Sequence, residues 1–354
     1  MSDFFSSKYD KLTPYTPGEQ PRDMKYNKLN TNESPFPPSK KAQEYASEAI
    51  KSLQLYSDPE CTGLVEALAK YYGVERENVI CVNGSDEVLN FAFMAFCDEN
   101  TPAVFPDITY GFYPVFAALN NISYREIPLR DDFTIDINDY MNVGATIFIA
   151  NPNAPTGIAL SLSDIEEIVK NNPNNVVVVD EAYVDYGTES AVSLINKYNN
   201  LLVTQTFSKS RSLAGGRLGY GIACADLIRD LNTIRYSTNP YNINKMTMAA
   251  GIGAIEDDDY FKNNCKTIMD NRAYTVAKLE GLGFHVLPSK SNFVFAKSDI
   301  YPGKELYLDL KANGILIRHF DKPRLDDYNR ITIGSREQMD ALISMIEKLM
   351  EEKK

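Results

Sequence analysis

Val176-Val177-Val178-Val179-Asp180-Glu181-Ala182-Tyr183 sets four consecutive β-branched residues against an abrupt polar end. A strand with apolar side chains on both faces has no side to show water, so it belongs inside a sheet covered on both faces. The text on either side repeats the theme. Short apolar runs occur at Asn78-Val79-Ile80-Cys81-Val82, Ala103-Val104-Phe105, Ala145–Ala150, Leu201-Leu202-Val203 and Tyr220–Cys224. Between and before them lie stretches of helical character, Lys41–Leu53, Gly63–Tyr72 and Glu87–Cys97. Strands alternating with helices predict an α/β fold with a mostly parallel sheet. Past Ile268 the pattern changes to a long helix through Leu279 and the strands Phe284–Leu287, Phe293–Ala296, Ile315–Ile317 and Arg330–Ile333. A closing amphipathic helix from Glu337 to Met350 completes what reads as a smaller α+β domain. The expected division is an extended arm over residues 1–41, a large domain over 42–270 and a small domain over 271–354. The arm is rich in Pro, Asn, Tyr and Lys, which disfavours a packed unit of its own.

A parallel sheet takes its ligand outside the carboxyl ends of its strands. Five strand ends deliver polar or aromatic groups there: Asn83-Gly84-Ser85-Asp86, Pro106-Asp107-Ile108-Thr109-Tyr110, Asn151-Pro152-Asn153-Ala154-Pro155-Thr156-Gly157, Asp180-Glu181-Ala182-Tyr183, and Thr206-Phe207-Ser208-Lys209. Gly84-Ser85-Asp86 opening a helix is an anion site by its free N–H groups and positive dipole end. Asp180 at the end of four valines sits in a low-dielectric setting and needs a cationic partner.

Composition narrows the classes. The chain of 354 residues carries a formal net charge of −12, which argues against nucleic acid or an anionic membrane as a partner. No apolar run approaches a membrane span, and the first residues lack a secretory pattern. Five cysteines without a CxxC pair read as reduced residues of a cytoplasmic protein. With only His285 and His319, a histidine-based metal site or a Ser-His-Asp hydrolase has little support, so no metal is expected. His285 reads as structural, whereas His319, beside Arg318, could line a site. No G-x-G-x-x-G follows a first strand and no P-loop occurs, which weakens a nucleotide-binding reading.

Lys209 lies in Thr206-Phe207-Ser208-Lys209-Ser210-Arg211-Ser212-Leu213-Ala214-Gly215-Gly216-Arg217-Leu218-Gly219-Tyr220. An amine there can condense with a carbonyl, with hydroxyls on both sides and Arg217 offering a fork of donors suited to phosphate. This run resembles the lysine signature of fold-type I pyridoxal-phosphate aminotransferases. Within that group, Leu12-Thr13-Pro14-Tyr15, Pro17-Gly18-Glu19-Gln20-Pro21, Lys28–Pro35, Tyr56-Ser57-Asp58-Pro59, Ile317-Arg318 and Asn329–Gly334 are similar to the histidinol-phosphate aminotransferase family.

The resemblance implies pyridoxal 5′-phosphate held on Lys209. Asp180 would meet the ring nitrogen, Tyr110 stack on the ring, and Tyr183 reach its phenolic oxygen. Ser85, Asp86, Ser208 and Arg217, with Thr206 nearby, become the phosphate contacts. It also implies a homodimer in which the arm takes part and Tyr56 reaches the neighbouring subunit's cofactor. Arg330 would receive the α-carboxylate of glutamate, while Arg318 and Tyr15 would bind the substrate's distal phosphate or side chain. The implied reaction is transfer of the amino group of L-histidinol phosphate to 2-oxoglutarate, in histidine biosynthesis. A threonine-phosphate decarboxylase-like lyase and a broader aromatic aminotransferase are the alternatives. One position departs from the family: Ala154 stands where such enzymes usually carry Asn as a donor to the phenolic oxygen. Tyr183 is then the main donor, or Asn153 or another asparagine compensates. Ser34, where the family often has Asn, is a milder change.

Overall fold

The four-valine run lies near the middle of a seven-stranded sheet. In the computed structural model, which describes residues 2, 4–10 and 12–353, the strand order is Val79–Val82, Gly219–Ala223, Leu201–Thr206, Val177–Asp180, Thr146–Ala150, Ala103–Pro106, Tyr124–Ile127. Every pairing from Leu201–Thr206 outward to Tyr124–Ile127 is parallel. Gly219–Ala223 alone is reversed, antiparallel to both of its neighbours. That reversal has a use. It brings the start of the strand, just past Arg217, to the edge where its neighbours Val79–Val82 and Leu201–Thr206 end, with Gly219 opposite both Val82 and Thr206.

The alternation of side chains divides the core. Ile147, Ile149, Val177, Val179, Leu201 and Val203 pack on one face with Leu64, Leu68, Ile165 and Ile168. Phe148, Val178 and Leu202 pack on the other with Val88, Phe91, Leu227 and Leu231. Each fully buried valine contributes on the order of 1.5–3 kcal/mol by leaving water, which is why the run tolerates no polar residue before Asp180. Helix ends follow local chemistry. Ser161 and Asp164 form a reciprocal capping box at the start of Leu162–Lys170, and Gly73 in the left-handed region ends Thr62–Tyr72.

Tyr124–Ile127 went unrecognised in the sequence. It is an edge strand whose Tyr124, Arg125 and Glu126 are exposed, so it shows no apolar run.

The second sheet is four-stranded and antiparallel, in the order Arg318–His319, Tyr328–Thr332, Phe293–Ser298, Phe284–Val286. The helices Asp258–Gly281, Gly303–Ala312 and Arg336–Glu352 share its core. Asp258–Gly281 is one helix of 24 residues, and residue 270 lies inside it. Residues 12–26 carry neither helix nor strand. Asn27–Lys28 then pairs in parallel with Ile315–Leu316, and the arm is tied down further by Glu19, whose carboxylate accepts from Tyr307 and Lys311. Among the described residues no helix is long and apolar enough to cross a membrane.

Candidate active site

A cavity of about 390 Å³ opens at the strand ends. Its wall takes Ser85 and Asp86 from the first strand end, Tyr110 from the next, Pro152 and Ala154 from the third, Asp180, Ala182 and Tyr183 from the fourth, and Thr206, Ser208 and Lys209 from the fifth. Arg217 enters from the reversed strand, and Gln20, Thr31 and Glu33 close it from the N-terminal arm.

One end of the cavity is a cluster of donors. Gly84, at φ +77°, precedes the helix Ser85–Phe96, and a Cβ there would lie 2.5 Å from Arg217 Nη2. A Cβ on Gly219 would lie 2.3 Å from the backbone nitrogen of Ser85. Backbone and guanidinium therefore approach as closely as they do only because both positions are glycine. Arg217 has left-handed φ, 52°, a conformation uncommon for any residue but glycine. Its Nη2 is 3.1 Å from Asp86 Oδ2 and its Nη1 3.5 Å from Ser208 Oγ. The Thr206 hydroxyl donates to Ser208 Oγ at 3.0 Å and accepts from the Ser208 N–H at 3.1 Å.

The other end is built on Asp180, which is 5 % exposed. Its carboxyl accepts from the Tyr113 hydroxyl at 3.2 Å and the Ala182 N–H at 3.3 Å. Burial, and then the Asp86 charge, push it up to about 7, and Lys209 opposes this only weakly. Among the described residues no cation pairs with it. Lys209 stands between the two ends, its Nζ donating to the Thr31 carbonyl at 3.3 Å and lying 5.7 Å from the Tyr183 ring centre. Tyr110 donates to Asp86 Oδ1 at 2.7 Å. Burial, and then the Asp86 carboxylate, raise its phenol well above the ordinary tyrosine value.

Three expected substrate residues adjoin this cavity without forming its wall. Arg318 and Arg330 face each other across neighbouring strands. Arg330 Nη2 donates to the Asn30 carbonyl at 3.0 Å, its Nε has no partner among the described residues, and burial holds the guanidinium below its ordinary value. Tyr15 stacks on Phe112 with ring centres 4.1 Å apart. Burial raises its phenol while the Arg330 and Arg318 charges pull it down, so the three groups share one neighbourhood. Tyr56 lies elsewhere: it is 81 % exposed and stacks on Tyr241 at 4.7 Å, outside its own chain's cavity.

The third strand end shows how the asparagine next to Ala154 is engaged. Asn153 Nδ2 donates to the Ile108 carbonyl at 2.9 Å and to Thr156 Oγ1, while its Oδ1 accepts from Thr109. Its amide is committed away from the cavity. Another asparagine reaches Tyr183 instead: Asn32 Nδ2 donates to the Tyr183 oxygen at 2.9 Å. Sequence reasoning gave no individual role to Asn32, Thr31, Glu33 or Tyr113. The first three lie in the arm, far along the chain from the strand ends of the large sheet, and Tyr113 begins a helix three residues after Tyr110 with no motif to mark it.

Known proteins resemble this chain over nearly its whole length. The family model for aminotransferase class I and II matches residues 25–346. A histidinol-phosphate aminotransferase of Marinomonas sp. (strain MWYL1) is 51% identical over 353 residues, covering 99% of this chain and 100% of the relative. One from Brachyspira hyodysenteriae is 49% identical over 348 residues, 98% of each chain. The solved structure of histidinol-phosphate aminotransferase from Sinorhizobium meliloti, in complex with pyridoxal-5′-phosphate, superposes with a TM-score of 0.85 over 92% of each chain at 24% identity, a likeness of fold. The chain belongs to the aminotransferase class I and II family, among its histidinol-phosphate aminotransferases.

Proposed function

We propose that this chain is a pyridoxal-phosphate-dependent transaminase that passes the amino group of L-histidinol phosphate to 2-oxoglutarate, giving imidazole acetol phosphate and glutamate. The observation that carries it is Asp180: a buried carboxyl without a cation among the described residues, lining one cavity with a lysine amine and a cluster of phosphate donors. A protonated ring nitrogen supplies the cation that Asp180 lacks. Ser85, Thr206, Ser208 and Arg217 offer hydroxyl and guanidinium donors to a phosphate, and Gly84 and Gly219 let Arg217 and the helix start come together. The residues present fit the cofactor.

When bound, pyridoxal 5′-phosphate supplies an aldehyde for the amine and a protonated ring that draws off the electron pair released at the substrate's α-carbon. The chain's part is positioning and proton transfer. Asp180 would keep the ring nitrogen protonated, Tyr110 would pack against the ring, and Tyr183 would hold its phenolic oxygen. Lys209 would take the proton from the substrate α-carbon as base and, as the ammonium so formed, give it back as acid at what had been the aldehyde carbon. Arg330 takes the α-carboxylate of glutamate in a two-pronged contact, and Arg318 with Tyr15 takes the distal phosphate. The orphaned Arg330 Nε supports this, being a buried donor with no acceptor among the described residues.

A homodimer suits the exposed strip of Ile50, Leu53, Leu55, Tyr56 and Tyr241. In it Tyr56 of one protomer reaches the cofactor phosphate of its partner. A cytoplasmic setting suits five free cysteines, four of them buried. The deciding experiment mixes the cofactor-loaded protein separately with histidinol phosphate, phenylalanine, aspartate and threonine phosphate, and follows loss of its visible absorbance. Bleaching by histidinol phosphate far faster than by the others is the expected result. Faster bleaching by phenylalanine would make it an aromatic aminotransferase, and carbon dioxide release from threonine phosphate without a keto acid would make it a lyase.

A further inference from the structure

Three consecutive arm residues each meet one functional side chain. The Asn30 carbonyl accepts from Arg330, the Thr31 carbonyl from Lys209, and Asn32 donates to Tyr183. The last contact differs in kind, because it sets the direction of a hydrogen bond. Asn32 is 1 % exposed and left-handed, at φ 56°. Thr332 Oγ1 accepts the Asn32 backbone N–H at 3.0 Å, and its own proton goes to Asn32 Oδ1, also at 3.0 Å. Asn292 Nδ2 donates to the Asn32 carbonyl at 2.9 Å. With Oδ1 occupied as an acceptor, the amide must turn its Nδ2 donor toward Tyr183. The Tyr183 oxygen thus accepts from behind, and among the described residues nothing takes its own proton. At the neighbouring part of the wall Ala154 offers a methyl, and the Asn153 amide is engaged elsewhere.

We propose that Asn32 is a positioning residue that fixes the polarity of Tyr183, so that its hydroxyl proton is always presented to the cavity and offsets the donor missing at Ala154. The inference rests on the cofactor reading above and names the protein group that makes Tyr183 a donor rather than an acceptor. An accepted hydrogen bond also polarises the phenol and strengthens the one it donates.

The test is a double-mutant cycle on the pH titration of the loaded protein's visible absorbance. A donor on the cofactor's phenolic oxygen favours the more negative, deprotonated form, so removing it moves the transition to higher pH. Asn32→Asp keeps the acceptor for Thr332 but replaces the donor facing Tyr183 with an acceptor that draws the phenol proton away. The transition is expected to rise by about one unit, with cofactor affinity about tenfold weaker. In a Tyr183→Phe background the same change should produce only the smaller shift due to its charge. Should the buried carboxylate prevent folding, Asn32→Ala gives a smaller rise of the same sign, again lost without the Tyr183 hydroxyl. An unmoved transition, or equal shifts with and without that hydroxyl, overturns the proposal alone. Absence of any absorbance that depends on Lys209 overturns the cofactor reading and this proposal with it.

Discussion

Arg318 and Arg330 stand directly opposite each other on neighbouring antiparallel strands, and no carboxylate among the described residues pairs with either. Like charges so placed cost roughly 0.2–1 kcal/mol. Desolvation adds to the cost at Arg330, since burial depresses its affinity for its own proton. An arrangement that destabilises the empty fold becomes favourable once an anion arrives.

The two arginines should therefore separate by substrate. Arg330→Lys is expected to lower kcat/KM for glutamate about 100-fold, because an ammonium cannot reproduce a two-pronged contact with a carboxylate. Arg318→Gln should harm histidinol phosphate far more than phenylalanine, which has no distal phosphate. Equal losses for both amines in Arg318→Gln would remove the phosphate role.

Gly219 is the tightest point of the donor cluster. A methyl there meets Ser85 N at 2.3 Å and the Gly84 carbonyl carbon at 2.5 Å, both backbone atoms that cannot rotate aside. Gly219→Ala should shift the start of the helix Ser85–Phe96, costing about 1–3 kcal/mol of stability. Cofactor affinity should fall by at least about tenfold, for roughly 1.4 kcal/mol of lost phosphate contact. Equilibrium dialysis against pyridoxal phosphate measures this, and wild-type affinity would show that the helix start is not a phosphate contact.

Glu19 anchors the arm beside the cavity. Although burial acts to raise it, the Lys311 and Tyr307 hydrogen bonds hold its carboxyl below the ordinary glutamate value. The groups are about one-third exposed, so the ion pair contributes at most about 1 kcal/mol to folding. Its effect should appear in binding, since Gln20 lines the cavity and Tyr15 packs nearby. Glu19→Gln is expected to raise KM for the amine severalfold with kcat nearly unchanged, and steady-state kinetics with an unaltered KM would rule this out.

Ala154 can be tested by supplying the missing group. Ala154→Asn adds a donor at the cavity wall, so the visible absorbance transition of the loaded protein should move to lower pH without loss of turnover. An unmoved transition would mean that the new amide points away from the phenolic oxygen, as that of Asn153 is engaged away from the cavity.

The central strands and the groups at their ends were legible because a doubly buried strand cannot hide its composition. Val177–Asp180 ends on its carboxylate in the structure as in the sequence, and Asp180 lies level with Ala150 and Thr204 on its two neighbours. Periodicity carries no sign of strand direction, so the reversal of Gly219–Ala223 that brings Arg217 to the site was invisible. The edge strand Tyr124–Ile127 lacked apolar content for the same reason that it is an edge. Asn32 could not be assigned a role, since its partners Tyr183 and Thr332 lie 151 and 300 residues away. The arrangement of the arm over the cavity depends on such distant contacts, which no local pattern encodes.

Asp180 gives the cofactor-free protein a pH signature. Its folded value, pushed up to about 7 by burial and the Asp86 charge, lies above that of the unfolded chain, near 3.8. Between these values the folded state holds a proton that the unfolded state has released, so stability falls as pH rises from about 4 to about 7 and then levels off. Three units correspond to about 4 kcal/mol. Asn is nearly isosteric and carries no charge, so Asp180→Asn should remove this penalty. The cofactor-free variant is then expected to match wild type near pH 4 and to melt about 5 °C higher at pH 8. Loading with cofactor should reverse the order at pH 8, because a protonated ring nitrogen now pairs with the carboxylate that the variant lacks. Calorimetric scans at pH 4, 6 and 8 with and without pyridoxal phosphate follow both effects. A variant that melts below wild type in the cofactor-free state would mean that Asp180 already has a stabilising partner within the protein.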